Sequence, residues 1–372
     1  MRTRASILRT APGTFETAEV DLDAPGAGEV MVKMAAAGLC HSDDHLQKAD
    51  MKVPTMPIAG GHEGCGIVVE VGPEVHDLAE GDHVVFAFIP SCGRCRYCAR
   101  GMQNLCDLGS NMLFGSRLGD RRSFRMSLDG APVSQMAGIS TFSEYTTVDA
   151  RSCVKIAEDI PLRSACLTGC GVGTGWGSAV NSAEVRPGHT VIVMGVGGIG
   201  INAVQGAAHA GAQHVIAVDP VAMKRGAAQE VGATHAVETM AEATELARSF
   251  TNGQGADSAI MTVGRADGSH LAECFTSVRK GGTVVATGIG DNREVGVPVP
   301  IAELIMYQKR IQGSLYGGCS PTVDIPVQLE LYRSGKLRLD ELVTRTYTLD
   351  EVAQGYRDMH AGLNIRGVVV FD

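Results

Sequence analysis

Aromatic residues are scarce in this chain, with one Trp, nine Phe and seven Tyr among 372 residues, while glycine is abundant at 47. That balance predicts a fold rich in turns and in close backbone approaches. No apolar run reaches the roughly 18 residues needed to cross a bilayer. The basic N-terminus, Met1-Arg2-Thr3-Arg4-Ala5-Ser6-Ile7-Leu8-Arg9, lacks the apolar stretch of a signal peptide. There is no block of Lys and Arg, and with a formal charge of −9 and a pI near 5.7 neither a nucleic acid nor an anionic membrane is expected as a partner. Internal repeats and low-complexity tracts are also missing. A cytoplasmic protein is expected. In that reducing compartment eleven cysteines stay as thiols, and metal binding explains the clustered ones better than disulfides do.

What is present is an ordinary composition, 44% hydrophobic and 20% charged, with apolar mass for two cores. Up to about residue 170 short alternating runs are broken by Gly and Pro, as in Val30–Met34, Gly66–Val71 and Asp82–Phe86, and read as strands of an antiparallel β domain. From about 190 the texture changes. Thr190–Met194 is a continuous apolar strand, a small-residue helix follows through Ala210, and His214–Asp219, Ala256–Val263 and Gly282–Gly288 supply further buried strands separated by helical lengths. Such alternation implies a parallel, doubly wound α/β sheet. Beyond about 315 come helices near Val323–Arg333 and Asp350–His360 and a last strand, Gly367–Phe371, too little to fold alone. The expected division is a β-rich catalytic domain over 1–171, an inserted dinucleotide-binding (Rossmann) domain over 172–314, and a 315–372 segment that completes the first domain.

Four cysteines stand at Cys92, Cys95, Cys98 and Cys106, with gaps of two, two and seven residues inside a lobe spanning 90–108. Two-residue gaps on tight loops bring thiolates round one point, and four thiolates fill the tetrahedral shell of a structural zinc. Gly195-Val196-Gly197-Gly198-Ile199-Gly200 fits G-x-G-x-x-G and lies between a strand and a helix. Its glycines permit the turn, the approach of pyrophosphate and the contact of helix with strand, and the helix N-terminus faces the anion. Asp219 ends the next strand, nineteen residues past Gly200. A carboxylate there accepts from an adenosine ribose and repels a 2′-phosphate, which favours NAD over NADP; the alternative is a strand-end aspartate that caps the following helix. Lys224 is within reach of the same ribose.

Cys40, His62 and Cys170 lie outside the cysteine lobe. Each alone reads as a packing residue. Together they form a three-ligand set that leaves zinc electrically neutral and one position open, whereas the four-thiolate site carries two negative charges. Cys166, one helical turn earlier, competes with Cys170, whose flanking glycines give the backbone more room. Cys65, Cys153, Cys166, Cys274 and Cys319 otherwise read as small hydrophobes.

At these residues the chain resembles the zinc-dependent medium-chain alcohol dehydrogenases over nearly its whole length. The likeness rests on Gly61-His62-Glu63, the four-cysteine lobe, Gly169-Cys170-Gly171 and the glycine hexad with Asp219. More narrowly it resembles the actinobacterial nicotinoprotein (NDMA-dependent) branch, in Asn202–Gly206, Val218–Ala222 and Gly313–Gly317. The resemblance implies a Rossmann domain inserted into a GroES-like β-rich domain, with a cleft, dimers or tetramers, two zincs per chain, and NAD that in the narrower branch stays bound. It also implies roles. Cys40, His62 and Cys170 hold the catalytic zinc, with Glu63 close behind. Ser42 takes the alcohol proton, His45 is the outlet of the relay to water, and Asp43 orients His62. Thr174 contacts nicotinamide, Arg366 stands near the cofactor phosphates, and Phe88, Phe142 and Leu315 wall the substrate pocket. His41 stands where many relatives carry arginine for pyrophosphate. Ser110 stands near the arginine that the glutathione-linked formaldehyde branch uses for its adduct.

The expected activity is interconversion of an alcohol with an aldehyde or ketone by hydride transfer to and from NAD. The competing readings are oxidation of a formaldehyde–thiol adduct and a non-catalytic NAD(H) sensor. An intact Cys40, His62, Cys170 and Ser42 counts against the sensor, which needs no open Lewis acid.

Overall fold

The computed structural model describes residues 1–372, which divide into two compact units, Met1–Cys170 with Ser320–Asp372, and Gly171–Cys319. The first unit holds a small closed barrel, Arg2–Leu8, Glu16–Leu22, Met126–Leu128, Ala131–Gln135 and Ile58–Ala59 in spatial order. Beside it lies a seven-stranded sheet ordered Cys153–Lys155, His83–Phe86, Gly64–Val71, Glu29–Gly38, Arg366–Val370 and Val343–Tyr347, with Tyr145–Asp149 also paired to Glu29–Gly38. The C-terminal segment belongs here because Val368, Val369 and Val370 pair antiparallel with Gly38, Ala37 and Ala36. Valines suit a pleated, buried surface, and Val368 and Val369 have no exposed area. The sheet contains one charge network that its interior must satisfy. Glu29, 5% exposed, accepts from Arg125 at 2.8 Å and from Arg117.

The second unit is a six-stranded, all-parallel sheet ordered His235–Val237, His214–Val218, Thr190–Met194, Ala256–Met261, Val278–Ala286 and Arg310–Gly313. This is the doubly wound order, and the sequence direction reverses between Thr190–Met194 and its two neighbours, which is where such sheets bind ligands. All five residues of Thr190–Met194 are buried, as expected of a strand covered on both faces. Helices Gly200–His209, Ala222–Glu230, Met240–Phe250 and Gly268–Ser277 supply the crossovers. Met240–Phe250 opens on a reciprocal capping box, with the Thr239 side chain accepting from Glu242 N–H while the Glu242 carboxylate accepts from Thr239 N–H. No helix is long and apolar enough to cross a membrane.

Candidate functional site

Cys40 caps the N-terminus of the helix His41–Gln47, directly after the strand Glu29–Gly38. His62 follows a reversal at Gly61, whose φ of +87° only glycine adopts without strain; a Cβ there would also meet Thr141 Oγ1 at 2.5 Å and Phe142 N at 2.6 Å. Cys170 ends the short 3₁₀ segment Cys166–Gly169. The donor atoms of Cys40, His62 and Cys170 all lie within 4.8 Å of one another, and all three residues are buried. Tetrahedral zinc asks for about 3.8 Å between two thiolates and about 3.6 Å between thiolate and imidazole. His62 Nε2 lies 3.3 Å from Cys170 Sγ, so this donor set fits a zinc ion in size and chemistry.

The surroundings orient these donors. Asp43, with no exposed surface, accepts from His62 Nδ1 at 2.8 Å through one oxygen and from Gly61 N–H at 2.8 Å through the other. A carboxylate only accepts, so Nδ1 carries the hydrogen and Nε2 is left for the metal. Without metal the two thiols share a proton. The hydrogen bond with Cys170 holds Cys40 well below the ordinary thiol range, and against burial the His62 charge lowers it further. The same bond and burial push Cys170 well up. Burial would lower His62, but Asp43 and Cys40 raise it well above the usual imidazole value. Cys166 donates its thiol to the Arg163 carbonyl at 3.2 Å and is no member of the set.

Glu63 is fully buried and ion-paired to Arg366 Nη2, which also donates to the Leu39 carbonyl at 3.3 Å. These are the contacts of Arg366, itself 3% exposed. Ser42 Oγ is 3.9 Å from Cys40 Sγ. His45 is 2% exposed, with Nδ1 3.1 Å from Asp50 Oδ2. His41 is half-buried at the first position of the same helix. Phe88 is 9% exposed and meets His62 edge-on, with ring centroids 5.7 Å apart. Phe142 has no exposed surface and packs among Phe15 and Tyr356. Ser110 turns its hydroxyl to the Asp107 carbonyl at 2.9 Å and brings no cation for an adduct carboxylate.

In the lobe the four sulfur atoms also lie within 4.8 Å of one another, and Cys92 and Cys98 are 3.9 Å apart. The backbone serves these sulfurs, with N–H groups of Cys95 and Cys98 reaching Cys92 and Cys95 at 3.3 and 3.4 Å. The N–H groups of Cys98 and Asp107 lower the Cys95 thiol to about 6, whereas burial pushes Cys98 up to about 12. Gln103 ties the lobe to the helix Pro321–Arg333, donating to Thr322 Oγ1 at 2.7 Å. That seat is absent from any local motif.

The glycine hexad stands in the second unit at the end of Thr190–Met194. A Cβ on Gly200 would fall 1.9 Å from the Gly195 carbonyl oxygen, so the turn closes only with glycine, and the Gly198 carbonyl accepts from Asn202 Nδ2 at 3.0 Å. Ile199 is the residue from which helix Gly200–His209 starts. At Gly197 an added Cβ would meet only Lys224 Nζ, at 4.0 Å, so the backbone there is open to a ligand. Asp219, 5% exposed, accepts from Val196 N–H at 3.0 Å and Val221 N–H at 2.9 Å, one on each oxygen, which leaves each oxygen a lone pair. Arg225, which motif reading passed over, donates to the Asp219 carbonyl at 2.7 Å. Thr174 is 6% exposed and its Oγ1 has no hydrogen-bond partner. Leu315 is 43% exposed. An orphaned buried hydroxyl, an open glycine backbone and a half-satisfied carboxylate fit a bound dinucleotide.

Comparison with known proteins agrees with this geometry. The alcohol dehydrogenase GroES-like domain matches residues 26–158 and the zinc-binding dehydrogenase domain matches 198–331. The chain is 48% identical to the NDMA-dependent alcohol dehydrogenase of Amycolatopsis methanolica, covering 100% of this chain and 99% of that protein. It is 46% identical to alcohol dehydrogenase B of Mycobacterium tuberculosis, over 99% and 98% of the two chains. Among solved structures, an alcohol dehydrogenase zinc-binding domain protein from Burkholderia ambifaria superposes with a TM-score of 0.91 at 30% identity, over 100% and 99% of the chains.

Proposed function

The chain belongs to the alcohol dehydrogenase family, and within it we propose a zinc- and NAD-dependent enzyme that interconverts a small alcohol and its aldehyde or ketone at Cys40, His62 and Cys170. One observation carries the reading of the site: two thiols and an imidazole from distant stretches place their donor atoms within 4.8 Å, with Asp43 on the second ring nitrogen. Zinc held there would supply a Lewis acid that lowers the pKa of a hydroxyl towards neutrality.

The chain's own groups do the rest. Asp43 keeps His62 in the tautomer that offers Nε2. Ser42, beside Cys40, receives the substrate's proton and passes it to His45. Phe88 presents a ring edge to His62 and narrows the approach to the donor set. Glu63 and Arg366 form a neutral pair behind the ligands. Cys92, Cys95, Cys98 and Cys106 hold a second, structural zinc, whose closed thiolate shell leaves no position for substrate.

For the dinucleotide, Asp219 accepts ribose hydroxyls through its remaining lone pairs and repels a 2′-phosphate, Lys224 supports the same ribose, and the N–H groups over Gly195–Gly200 face pyrophosphate. The Thr174 hydroxyl contacts nicotinamide. The resemblance to the nicotinoprotein branch, with 48% identity to an enzyme named as NDMA-dependent, supports NAD that stays bound through turnover; we place the enzyme in the cytoplasm, as a homodimer or homotetramer.

Elemental analysis and near-ultraviolet absorbance of the protein as purified test the assignment. Two zincs and one nicotinamide per chain are expected. An empty dinucleotide site points to exchangeable NAD, and failure to oxidise any alcohol with both zincs in place overturns the reading.

A further inference from the structure

Three carboxylates in and just after the helix His41–Gln47 each serve a different histidine. Asp43 accepts from His62 Nδ1 at 2.8 Å, Asp44 lies 2.9 Å from His360 Nε2 and 2.7 Å from Lys48 Nζ, and Asp50 lies 3.1 Å from His45 Nδ1. The first belongs to the donor set, and the second, between buried Asp44 and half-exposed His360, pins the helix Val352–His360. The third pair is used by neither. Its side chains are 3% and 5% exposed.

Helix closure does not require that carboxylate. The backbone N–H groups of Asp50 and Met51 already satisfy the His45 carbonyl at 3.0 and 3.2 Å. Taking a carboxylate out of water to face an imidazole costs hydration that a neutral pair of similar shape would keep. What the pair adds is chemical. Because a carboxylate only accepts, Nδ1 of His45 carries the hydrogen and the ring's lone pair lies on Nε2. Ser42 and His45 are three residues apart in the helix His41–Gln47 and therefore share one of its faces.

We propose that Asp50 is a positioning residue for proton removal. It fixes His45 in the Nδ1–H tautomer and holds the imidazolium that forms when Nε2 accepts the proton, while the carboxylate itself stays ionised. The substrate O–H bond breaks, Ser42 relays the proton, an Nε2–H bond forms, and that proton later leaves to water; no electron pair crosses this path. The inference rests on the assignment of Ser42 and His45 made above. It adds that the outlet is a buried dyad whose tautomer and orientation come from the loop after the helix.

The test uses the full-length zinc-loaded protein with 1-butanol as substrate and compares Asp50→Asn, Asp50→Glu, His45→Gln and the double variant. Asp50→Asn is expected to lower kcat about 10–100-fold with KM nearly unchanged, and Asp50→Glu to restore most of it. His45→Gln is expected to fall at least as far, and the double variant no further than His45→Gln alone, since the two act as one unit. Ring nitrogen shifts in ¹⁵N-histidine-labelled protein are expected to show His45 as the Nδ1–H tautomer in the parent and displaced in Asp50→Asn. Parental kcat in Asp50→Asn with a deficient His45→Gln overturns the role of Asp50 alone. Parental kcat in His45→Gln removes the relay assignment beneath it. Should Asp50→Asn not fold, the Asp50→Glu kcat and the parental tautomer decide, and an Nε2–H tautomer in the parent overturns the proposal.

Discussion

Asp43 spans His62 Nδ1 and Gly61 N–H, each at 2.8 Å, so one carboxylate fixes both the ring of the metal-binding histidine and the backbone turn that presents it. Asp43→Asn exchanges one acceptor oxygen for a donor. We expect zinc affinity at this site or turnover to fall about 10–100-fold while the lobe keeps its metal. Chelator titration followed by zinc analysis per chain measures this, and equal loss from both sites would refute the local role.

Cys40→Ala is expected to abolish turnover and reduce zinc from two per chain to one, with circular dichroism of the parent. Cys40 caps a helix through its backbone, and its thiol bonds only within the donor set and to Ser42. Residual activity near the parental level would remove Cys40 from the set.

Arg366→Met removes the guanidinium that pairs with the buried Glu63. Breaking such a pair costs about 3–5 kcal/mol, which urea unfolding would register as a lowered midpoint. Adding Glu63→Leu to it is expected to recover much of the loss. A midpoint unchanged in the single variant would mean that water or another cation replaces the guanidinium.

Asp219→Gly removes two charge-assisted acceptors of backbone N–H and the repulsion of a 2′-phosphate. NAD affinity should fall on the order of tenfold to a hundredfold, with discrimination against NADP largely lost, as read by competition of the two dinucleotides. Retained preference for NAD would assign the selectivity elsewhere.

In the zinc-stripped lobe, Cys95 titrates at about 6 because the N–H groups of Cys98 and Asp107 stabilise its thiolate. A folded value below the unfolded one contributes stability that is present in full above the ordinary thiol range, near 8.5, and is lost as pH falls through about 6. Alkylation of stripped protein, mapped by mass spectrometry, should therefore modify Cys95 down to about pH 6 while Cys98, pushed up to about 12, stays slow. Equal rates for the two would contradict the assignment.

What was legible in the sequence was what is local. Thr190–Met194 with the following hexad, and the cysteine gaps of the lobe, place their own chemistry because each is complete within a few residues. The open donor set was legible by residue type and by resemblance, yet the decision between Cys166 and Cys170 needed to know which thiol faces the Arg163 carbonyl. Phe142 looked like a pocket wall because its burial depends on Phe15 and Tyr356, far off in the chain. The pairing of His45 with Asp50 was not legible, because Asp50 sits in a loop with no periodicity to place its side chain. The pairing of Glu63 with Arg366 joins positions 303 residues apart, a distance over which pattern carries no information. The T-x-x-E capping box at Thr239 was, by contrast, a local signal available to be read.

The strand Arg366–Val370 lies inside the seven-stranded sheet, between Glu29–Gly38 and Val343–Tyr347. The unit that carries the zinc donors therefore keeps an unfilled slot beside Glu29–Gly38 until Arg366–Val370 is paired, while the parallel sheet encoded between can close earlier. Final annealing of that sheet and delivery of Arg366 to Glu63 are one event, so loss of the strand Arg366–Val370 would strike the chemistry and the fold together.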